Sequence, residues 1–355
     1  MGFASLRFFH YRNIVDGTVP VNAPDVFLIG ENGQGKTNFL EAVYLLSYGG
    51  SFRSRTDDVL VNHAADAMAV EGEYHDAESL PVEVTIAIEG GRKSYKVNGS
   101  PVKDRGELLK NVPCVVFCHG DIEFVQGGPS SRRRYFDQTA LLVDPAVLDD
   151  LRLYQRALKS RNAALKEHRT DLLDVYDEQI VTYGERIMES REKTVRHVNE
   201  VFAPAFEEVN TNSTVPTIHY RPSWKDNPRE QLRRTRDRDL TYGTTGSGPH
   251  RDRFAFSAGG ADYVETASTG QIRLCSLILR AAQAFAISTL LHRDPVLLLD
   301  DVLLELDPKR RSRFMTTLPA AEQRFFTFLP DEHFRSFAAG DTLTLDVENG
   351  RITPR

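Results

Sequence analysis

A glycine-rich stretch close to the N-terminus has the residue types and the spacing of a phosphate-binding loop. Its candidate nucleotide-binding residues are Gly30, Glu31, Asn32, Gly33, Gln34, Gly35, Lys36 and Thr37. The glycines allow backbone N–H groups to turn inward toward phosphate oxygens, and a helix beginning near Lys36 directs the positive end of its dipole at the same anion. The pattern predicts that Lys36 reaches the β- and γ-phosphates of ATP and that the Thr37 hydroxyl holds Mg²⁺.

An apolar run that ends in two aspartates supplies the carboxylates that such a loop requires. Residues 296–299 are Val-Leu-Leu-Leu, and Asp300 and Asp301 follow them. Four apolar residues in succession suit a strand covered on both faces, so Asp300 is expected at its carboxyl end, where it can bind Mg²⁺ directly or through water. Asp301 is placed to orient or deprotonate the attacking water. The predicted catalytic residues are therefore Asp301 and Lys36, and the predicted metal ligands are Thr37 and Asp300.

A third pattern, Ser268-Thr-Gly270-Gln271, begins a strongly apolar helix ahead of the aspartate strand. Ser268 is a natural N-cap, and the start of the helix is a further site for an anion. We therefore add Ser268, Gly270 and Gln271 to the candidate nucleotide-binding residues. By itself the pattern is also that of an ordinary capped helix, so its weight comes from its place between the other two patterns.

The three patterns in this order resemble the head domain of the ATP-binding-cassette superfamily. The resemblance implies an α/β fold with mixed β-sheets and a phosphate-binding loop, and an inserted, mainly helical second lobe. It also implies a homodimer in which the signature helix of one subunit covers the γ-phosphate held by the loop of the other. The stretch Glu305-Leu-Asp307 then lies at the dimer seam.

Longer stretches resemble the RecF family of recombination-repair ATPases. They are residues 30–42 with 51–53, 117–125 with 127–137, 248–252 with 267–273, and 299–307. The resemblance implies a weak, DNA-stimulated ATPase that dimerises around two ATP molecules and helps to load recombinase at gapped DNA or single-strand/double-strand junctions. It further implies RecR, with or without RecO, as a protein partner.

This sequence departs from the superfamily pattern at three positions. Asp301 stands where many relatives have glutamate, and Leu329-Pro330 occupies the place of the switch histidine, which leaves His333 as a candidate substitute. The segment after residue 113 contains no obvious glutamine-loop ligand, so His119 and Gln126 are the candidates for that role.

The organisation of the chain follows from the positions of these patterns. We expect residues 1–132 and 248–355 to form the ATPase lobe and residues 133–247 to form the helical lobe. Apolar spacing predicts two antiparallel helices that are interrupted at residues 168–171, with Pro204 at or just beyond the end of the second helix. Residues 222–249 are polar, basic and dotted with glycine, and are expected to form a loop or a mobile segment.

Charge and composition restrict the environment and the partners. The net charge is −6, so any contact with DNA requires a local basic surface. Three cysteines without metal-ligand spacing, the lack of a signal-like N-terminus and the lack of a long uninterrupted apolar run favour a cytoplasmic protein with no membrane partner. The candidate contacts to duplex phosphates are Arg132, Arg133, Arg134, Arg152, Arg156, Lys159, Arg161 and the basic residues of 225–238.

Three other classes of protein share part of the pattern. A nucleotide-binding subunit of an ATP-binding-cassette transporter has all three motifs, but the long basic second lobe disfavours it. A chromosome-structural ATPase requires a far longer heptad arm between the motifs. A metabolic kinase has no use for the Ser-x-Gly-Gln helix. The transporter subunit therefore stays as the main alternative.

Overall fold

A computed structural model of the chain describes residues 2–54, 56–75, 80–102, 106, 108, 111–210, 214–331, 334 and 340–355. The strands are β1 Gly2–Phe9, β2 Gly17–Pro20, β3 Asp25–Ile29, β4 Ala67–His75, β5 Pro81–Glu89, β6 Arg92–Val97, β7 Ser100–Pro101, β8 Cys114–Phe117, β9 Thr217–Arg221, β10 Arg253–Ala258, β11 Ala261–Asp262, β12 Val296–Leu299, β13 Gln323–Phe328, β14 Thr342–Glu348 and β15 Arg351–Pro354. The α-helices are α1 Lys36–Tyr48, α2 Pro129–Val143, α3 Val147–Lys166, α4 Leu173–Val209, α5 Pro228–Arg234, α6 Arg236–Tyr242, α7 Tyr263–Thr266, α8 Thr269–Leu291 and α9 Pro308–Thr317.

The chain divides into two compact units. Unit 1 consists of Met1–His119 and Gln283–Arg355, and unit 2 consists of Gly120–Ala282. Unit 2 therefore begins before the expected residue 133 and extends beyond the expected residue 247. The reason is that β10, which follows residue 247, pairs along its length with β9 of the same unit.

Two six-stranded sheets build unit 1. The first has the strand order β2-β1-β4-β5-β6-β7, and the second has the order β15-β14-β3-β13-β12-β8. In the second sheet β14, β3, β13, β12 and β8 run parallel, and only β15 is antiparallel to its neighbour. Because parallel strands have their carboxyl ends on the same edge, the residues that follow β3, β12 and β13 come together there.

Helix α1 packs in the core of unit 1. Its apolar side chains from Phe39 to Leu46 are buried around most of the helix, in one cluster with β1, β3, β4 and β5. A helix that is apolar on nearly all faces is stable only when neighbours cover it. This burial holds the beginning of α1, and with it the glycine-rich loop, in one position against the parallel sheet.

Unit 2 combines a helical pair with a three-stranded sheet of order β11-β10-β9. Helices α3 and α4 lie antiparallel, as ion pairs between Arg161 and Asp177 and between Arg186 and Asp150 require. Helix α2 contacts the sheet through the stacked rings of Phe136 and Phe254.

The prediction that Pro204 ends the second long helix is wrong. Helix α4 continues through Pro204 to Val209. Proline removes one backbone hydrogen bond, but Pro204 lies on the exposed side, where water can reach the carbonyl that loses its partner. Phe202 and Phe206 on the opposite side are completely buried, and this packing maintains the helix.

The prediction that residues 222–249 form a loop is also wrong. This segment contains α5 and α6, and the side chain of Asn227 caps α5 by accepting from the Glu230 N–H at 3.1 Å. Trp224 and Leu232 are buried in a cluster with residues of α3 and α4. These two buried side chains anchor an otherwise polar segment to the helical pair.

Most other elements agree with the sequence patterns. Short apolar and β-branched runs in the sequence predict strands at 26–29, 82–88, 94–97, 112–117, 253–257, 295–299 and 324–329, and residues 342–346 and 351–353 around Asn349-Gly350 predict a terminal hairpin. The structure confirms these strands, the hairpin and the antiparallel helical pair. Helix α8 is apolar enough in composition to cross a membrane, but 72% of its most apolar stretch is buried inside the protein. That degree of burial is typical of a core helix.

Candidate nucleotide-binding site

The glycine-rich loop connects β3 to α1 at the carboxyl edge of the parallel strands. Gly33 and Gly35 have φ angles of 80° and 122°, a region that side chains disfavour. A Cβ atom on Gly30 would lie 2.2 Å from the carbonyl oxygen of Val347. These positions therefore need glycine both for their backbone conformation and for close packing against β14.

Lys36 lies across the loop at the start of α1. Its side chain is almost completely buried, and Nζ donates to the carbonyl oxygens of Gly30 at 2.6 Å and of Glu31 at 3.0 Å. Gly35 precedes the helix and has no side chain with which to cap it. The first N–H groups of the helix and one fixed ammonium can together hold an anion.

Thr37, Asp300 and Thr327 form a polar cluster beside the loop. The Thr37 hydroxyl donates to Asp300 Oδ1 at 2.9 Å, and the Thr327 hydroxyl contacts the same oxygen at 3.3 Å. One hydroxyl and one carboxylate are a donor set that suits Mg²⁺, which takes its other ligands from water and phosphate oxygens. The cluster therefore fits a nucleotide-bound Mg²⁺.

Burial changes the acidity of the central carboxylate. It raises the pKa of Asp300 to about 6, and the neighbouring charge of Asp301 adds to this increase, while the hydrogen bond from Thr37 opposes it. A partly buried carboxylate whose ionised form is disfavoured gains from a cation at its oxygen. The electrostatics therefore agree with the donor set.

Asp301 adopts an unusual backbone conformation. Its φ is 56°, its N–H donates to Thr327 Oγ1 at 2.8 Å, and its Oδ1 lies 2.8 Å from the same hydroxyl. Thr327 therefore contacts both aspartates, and sequence reasoning did not identify it. A signal was available, because Thr327 is the polar residue in the apolar stretch Phe325-Phe-Thr-Phe of the strand predicted next to β12.

A buried carboxylate cluster lies one helical turn beyond Thr37. Glu41 is completely buried and accepts from Arg12 at 2.7 and 2.8 Å and from Arg53 at 2.7 Å. Burial opposes ionisation, but the hydrogen bonds from Arg53, Arg12 and Ser51 outweigh it and hold the pKa of Glu41 below its ordinary value. The cluster connects α1 to residues 51–53, which belong to the same family-like stretch.

The turn of the C-terminal hairpin supports the loop from outside. The Gly350 N–H donates to the Gln34 carbonyl at 2.9 Å, and the Asn349 N–H donates to Gln34 Oε1 at 2.6 Å. The sequence predicted the hairpin but not this contact, because 315 residues separate Asn349 from Gln34.

The signature segment of unit 2 begins α8 with a reciprocal cap. The Ser268 N–H donates to Gln271 Oε1 at 2.8 Å, and the Gln271 N–H donates to Ser268 Oγ at 3.3 Å. This arrangement is a capping box, and it confirms Ser268 as the N-cap. Ser268 and Gly270 are exposed, and a Cβ on Gly270 would meet no atom within 4 Å.

The roles suggested for His119, Gln126 and His333 stay predictions. His119 is exposed at the start of the short 3₁₀ helix after β8, and Gln126 is exposed just beyond the end of that helix. His333 lies outside the described residues.

Three of the arginines suggested as DNA contacts form hydrogen bonds within the protein. Arg161 is completely buried and donates to Asp177 at 2.6 Å and to Asp239 at 2.7 Å, so its prediction as a phosphate contact is wrong. The side chains of Arg132 and Arg133 donate to backbone carbonyls of β10 and of the residue before it, at 2.9 and 2.8 Å.

The exposed candidates stay predictions. They are Arg134, Arg152, Arg156, Lys159, Lys225, Arg229, Arg233, Arg234 and Arg238.

Comparison with known proteins agrees with this geometry. The family model described as "RecF/RecN/SMC N terminal domain" matches residues 3–345. The DNA replication and repair protein RecF of Treponema pallidum (strain Nichols) is 39% identical, over 96% of this chain and 98% of that protein. The protein of the same name from Acetivibrio thermocellus is 34% identical, over 96% of this chain and 97% of that one.

A solved structure of the recombination mediator protein RecF with ATP, from the RecFOR pathway, has a similar fold. It superposes with a TM-score of 0.91 at 28% identity, and the match covers 100% of this chain and 97% of that chain. The phosphate-binding loop, the aspartate strand and the capped helix thus occur in a chain that resembles these proteins over almost its full length. The chain belongs to the RecF family, within the ATP-binding-cassette head-domain superfamily.

Proposed function

We propose that this protein is an ATP-dependent DNA-binding clamp of recombinational repair, which dimerises around two ATP molecules and helps to load recombinase at gapped DNA or at single-strand/double-strand junctions. The observation that carries the proposal is the cluster of Thr37, Asp300, Asp301 and Thr327 beside the loop that holds Lys36. The names of the relatives, which are DNA replication and repair proteins, support repair over the transporter alternative.

Each residue of the cluster has a role in this proposal. The loop amides and Lys36 bind the β- and γ-phosphates, and Thr37 and Asp300 hold Mg²⁺, which neutralises charge on the phosphates. Asp301 positions the attacking water and accepts its proton. The hydroxyl of Thr327 keeps the two carboxylates apart and oriented, since it contacts both.

The second half of the site is supplied by another copy of the chain. The exposed start of α8 has free space above Gly270 and an N-terminus pointed at solvent, which suits contact with a γ-phosphate from outside. Ser268, Gly270 and Gln271 of one subunit then complete the site formed by Lys36 of its partner. Hydrolysis is weak and stimulated by DNA, the location is cytoplasmic, and RecR, with or without RecO, is the protein partner.

Two measurements test the shared site. The specific ATPase activity of the wild type should rise with protein concentration as dimers form, because half of each site comes from a second molecule. Activity that is constant down to concentrations at which only monomer is present would contradict the dimer.

In the second measurement, Lys36→Met and Ser268→Arg, each inactive alone, should restore part of the activity when mixed, because one site of the mixed dimer is then wild type. The variant Ser268→Asn keeps the N-cap and is the control for folding of α8.

DNA binding tests the rest of the proposal. Affinity for duplex DNA should be much higher with Mg-ATP than without nucleotide and should fall steeply with salt, since counterions are released from phosphates. Equal affinity with and without ATP at moderate salt would remove the clamp mechanism.

A further inference from the structure

A cavity of about 640 Å³ in unit 2 is lined by five basic side chains. These are Arg221, Lys225, Arg238, Arg251 and Arg253. All five are exposed, and within the described part of the chain none of them forms an ion pair with a carboxylate. The wall contains one acidic residue, Asp239, which is buried and already bound by Arg161 at 2.7 Å. The cavity therefore has a concentrated positive charge that the protein itself does not balance.

Neighbouring arginines of the same basic tract behave differently. Arg236 donates to Asp177 at 2.8 Å and also pairs with Asp174. Arg229 pairs with Glu178 at 2.7 Å. Carboxylates are thus available in this unit, yet the five side chains around the cavity have no carboxylate partner among the described residues.

Two of the five cations face each other directly across the sheet. Arg253 of β10 and Arg221 of β9 are partners in the antiparallel register. Like charges at directly opposed positions destabilise a sheet. The whole protein has a net charge of −6, so this local excess of positive charge is unusual. An anion bound between the side chains of Arg221 and Arg253 would neutralise it.

A third cation of the cavity, Arg251, belongs to the stretch Gly248-Pro-His-Arg-Asp252, one of those that resemble the RecF family. His250 lies 2.7 Å from the Tyr154 hydroxyl and 3.0 Å from the Thr245 carbonyl, and burial lowers its pKa to about 4, so that it stays neutral. Asp252 is bound by Arg191 at 2.8 Å. Arg251, between these two fixed residues, is exposed at the cavity.

The surroundings of the cavity favour a polymer backbone over a compact anion. Tyr242 is 71% exposed on the lining, with the Arg238 guanidinium 6.0 Å from its ring centroid, and can pack against a sugar. A second cavity of about 600 Å³, which shares Pro222 with the first, is lined by four carboxylates against one arginine, Arg196, and one histidine, His219. The carboxylates are those of Glu185, Glu189, Glu192 and Asp226. A polyanion can therefore enter the basic cavity but is repelled from its neighbour.

We propose that this basic cavity binds phosphates of the DNA backbone, independently of base sequence. The inference rests on the proposed function and assigns DNA contact in unit 2 to these five side chains. Among the arginines of 225–238 it selects Arg238 and excludes Arg233 and Arg234, which are exposed but do not line the cavity.

The test compares two double variants that remove the same charge from exposed arginines of unit 2. The double variant Arg238→Gln with Arg253→Gln removes two of the five positive side chains that line the cavity. The double variant Arg233→Gln with Arg234→Gln is the matched control. Binding to a duplex of mixed sequence is measured with Mg-ATP over a range of salt concentrations. The cavity variant should reduce the slope of log affinity against log salt by about 2, one for each lost phosphate contact, and should weaken binding about tenfold or more at low salt. The control should leave the slope near the wild-type value.

Thermal unfolding and ATP hydrolysis without DNA provide a separate readout. Arg253→Gln removes a like-charge pair, so the midpoint of thermal unfolding should be unchanged or higher, and ATP hydrolysis without DNA should equal that of the wild type. A destabilised protein would instead lose DNA binding together with its thermal midpoint. The single variant Arg238→Gln, in a short surface helix, then repeats the slope measurement.

The outcomes separate the inference from the proposed function. Equal slopes for the two double variants, in a wild type that binds duplex with ATP, would overturn the cavity assignment and leave the clamp intact. Failure of the wild type to bind duplex would reject both. Inorganic tripolyphosphate should compete with DNA only weakly. If it stabilises the wild type but not the cavity variant, while both bind DNA equally, the cavity takes free polyphosphate and the inference is wrong.

Discussion

The nucleotide site of unit 1 and the basic cavity of unit 2 both suit phosphate groups, but they are constructed in opposite ways. The first relies on backbone N–H groups, one buried lysine and two partly buried aspartates at the carboxyl end of β12. The second relies on exposed side chains from separate segments, which carry whole charges and have no ionic partners within the described residues.

This difference corresponds to two kinds of ligand. Backbone dipoles and buried charges are fixed in place before the ligand arrives, and this preorganisation is what stabilises charge that develops during a reaction. Exposed guanidinium groups adapt to a backbone of variable position and contribute mainly attraction, which salt weakens. In the functions proposed for them, one region serves chemistry and the other attachment.

The largest expected effect tests the chemical region. Asp301→Asn should lower ATP hydrolysis about 100-fold or more, the usual contribution of a general base, while ATP binding persists because Thr37 and Asp300 remain. Asparagine tolerates the φ of 56° at this position, so the backbone should not change. Turnover is measured with saturating ATP. Turnover at the wild-type rate would show that Asp301 is neither the base nor the residue that positions the attacking water.

A second prediction concerns charges of unit 2 that serve the fold. Arg161→Met leaves Asp177 and Asp239 buried without their main partner, so the free energy of unfolding should fall by about 3–5 kcal/mol. Arg229→Gln, which breaks the exposed pair with Glu178, should cost about 0–1 kcal/mol. Denaturant unfolding of both variants measures the difference. If Arg161→Met were as stable as the wild type but lost DNA affinity, the separation of structural and attaching arginines would fail.

A third prediction tests whether the phosphate-binding loop, residues 30–37, depends on the hairpin turn at Asn349-Gly350. In Gly350→Ala the new Cβ would lie 1.7 Å from the Asn13 carbonyl oxygen, so the hairpin turn must move and release Gln34. We expect a loss of about 1–3 kcal/mol in stability together with weaker ATP binding. Gly99→Ala is the matched control, since φ is 73° there but no atom lies within 4 Å. Equal ATP affinity in the two variants would mean that the turn does not brace the loop.

The smallest expected effect belongs to Thr327. Replacement by valine keeps the shape but removes the hydroxyl that contacts both aspartates, and a lost hydrogen bond of about 1–1.5 kcal/mol lowers the rate roughly tenfold. Thr327→Ser should retain most of the activity. The measurement is the maximal rate of ATP hydrolysis. An unchanged rate in Thr327→Val would show that the backbone of Asp301 alone orients its side chain.

Much of the candidate nucleotide site could be predicted from sequence because its signals are local. The loop of residues 30–37, the run 296–299 and the cap at Ser268 each consist of consecutive residues, whose spacing already reports the strand, turn or helix. Predictions failed where distant packing overrides a local rule. Pro204 lies within a helix because Phe202 and Phe206 are buried, and residues 222–249 are ordered because Trp224 and Leu232 reach the helical core.

The sequence by itself determined the class of the nucleotide site, the order of its three motifs and the two aspartates, because a phosphate-binding loop works through backbone geometry that contiguous residues encode. Only the tertiary structure decided which arginines are available to a ligand. Arg161 and Asp239 are 78 residues apart yet form a buried pair, whereas Arg221 and Arg253 meet as unpaired neighbours across a sheet. Charge is visible in a sequence, but its neutralisation depends on which side chains the fold brings within a few ångströms of each other.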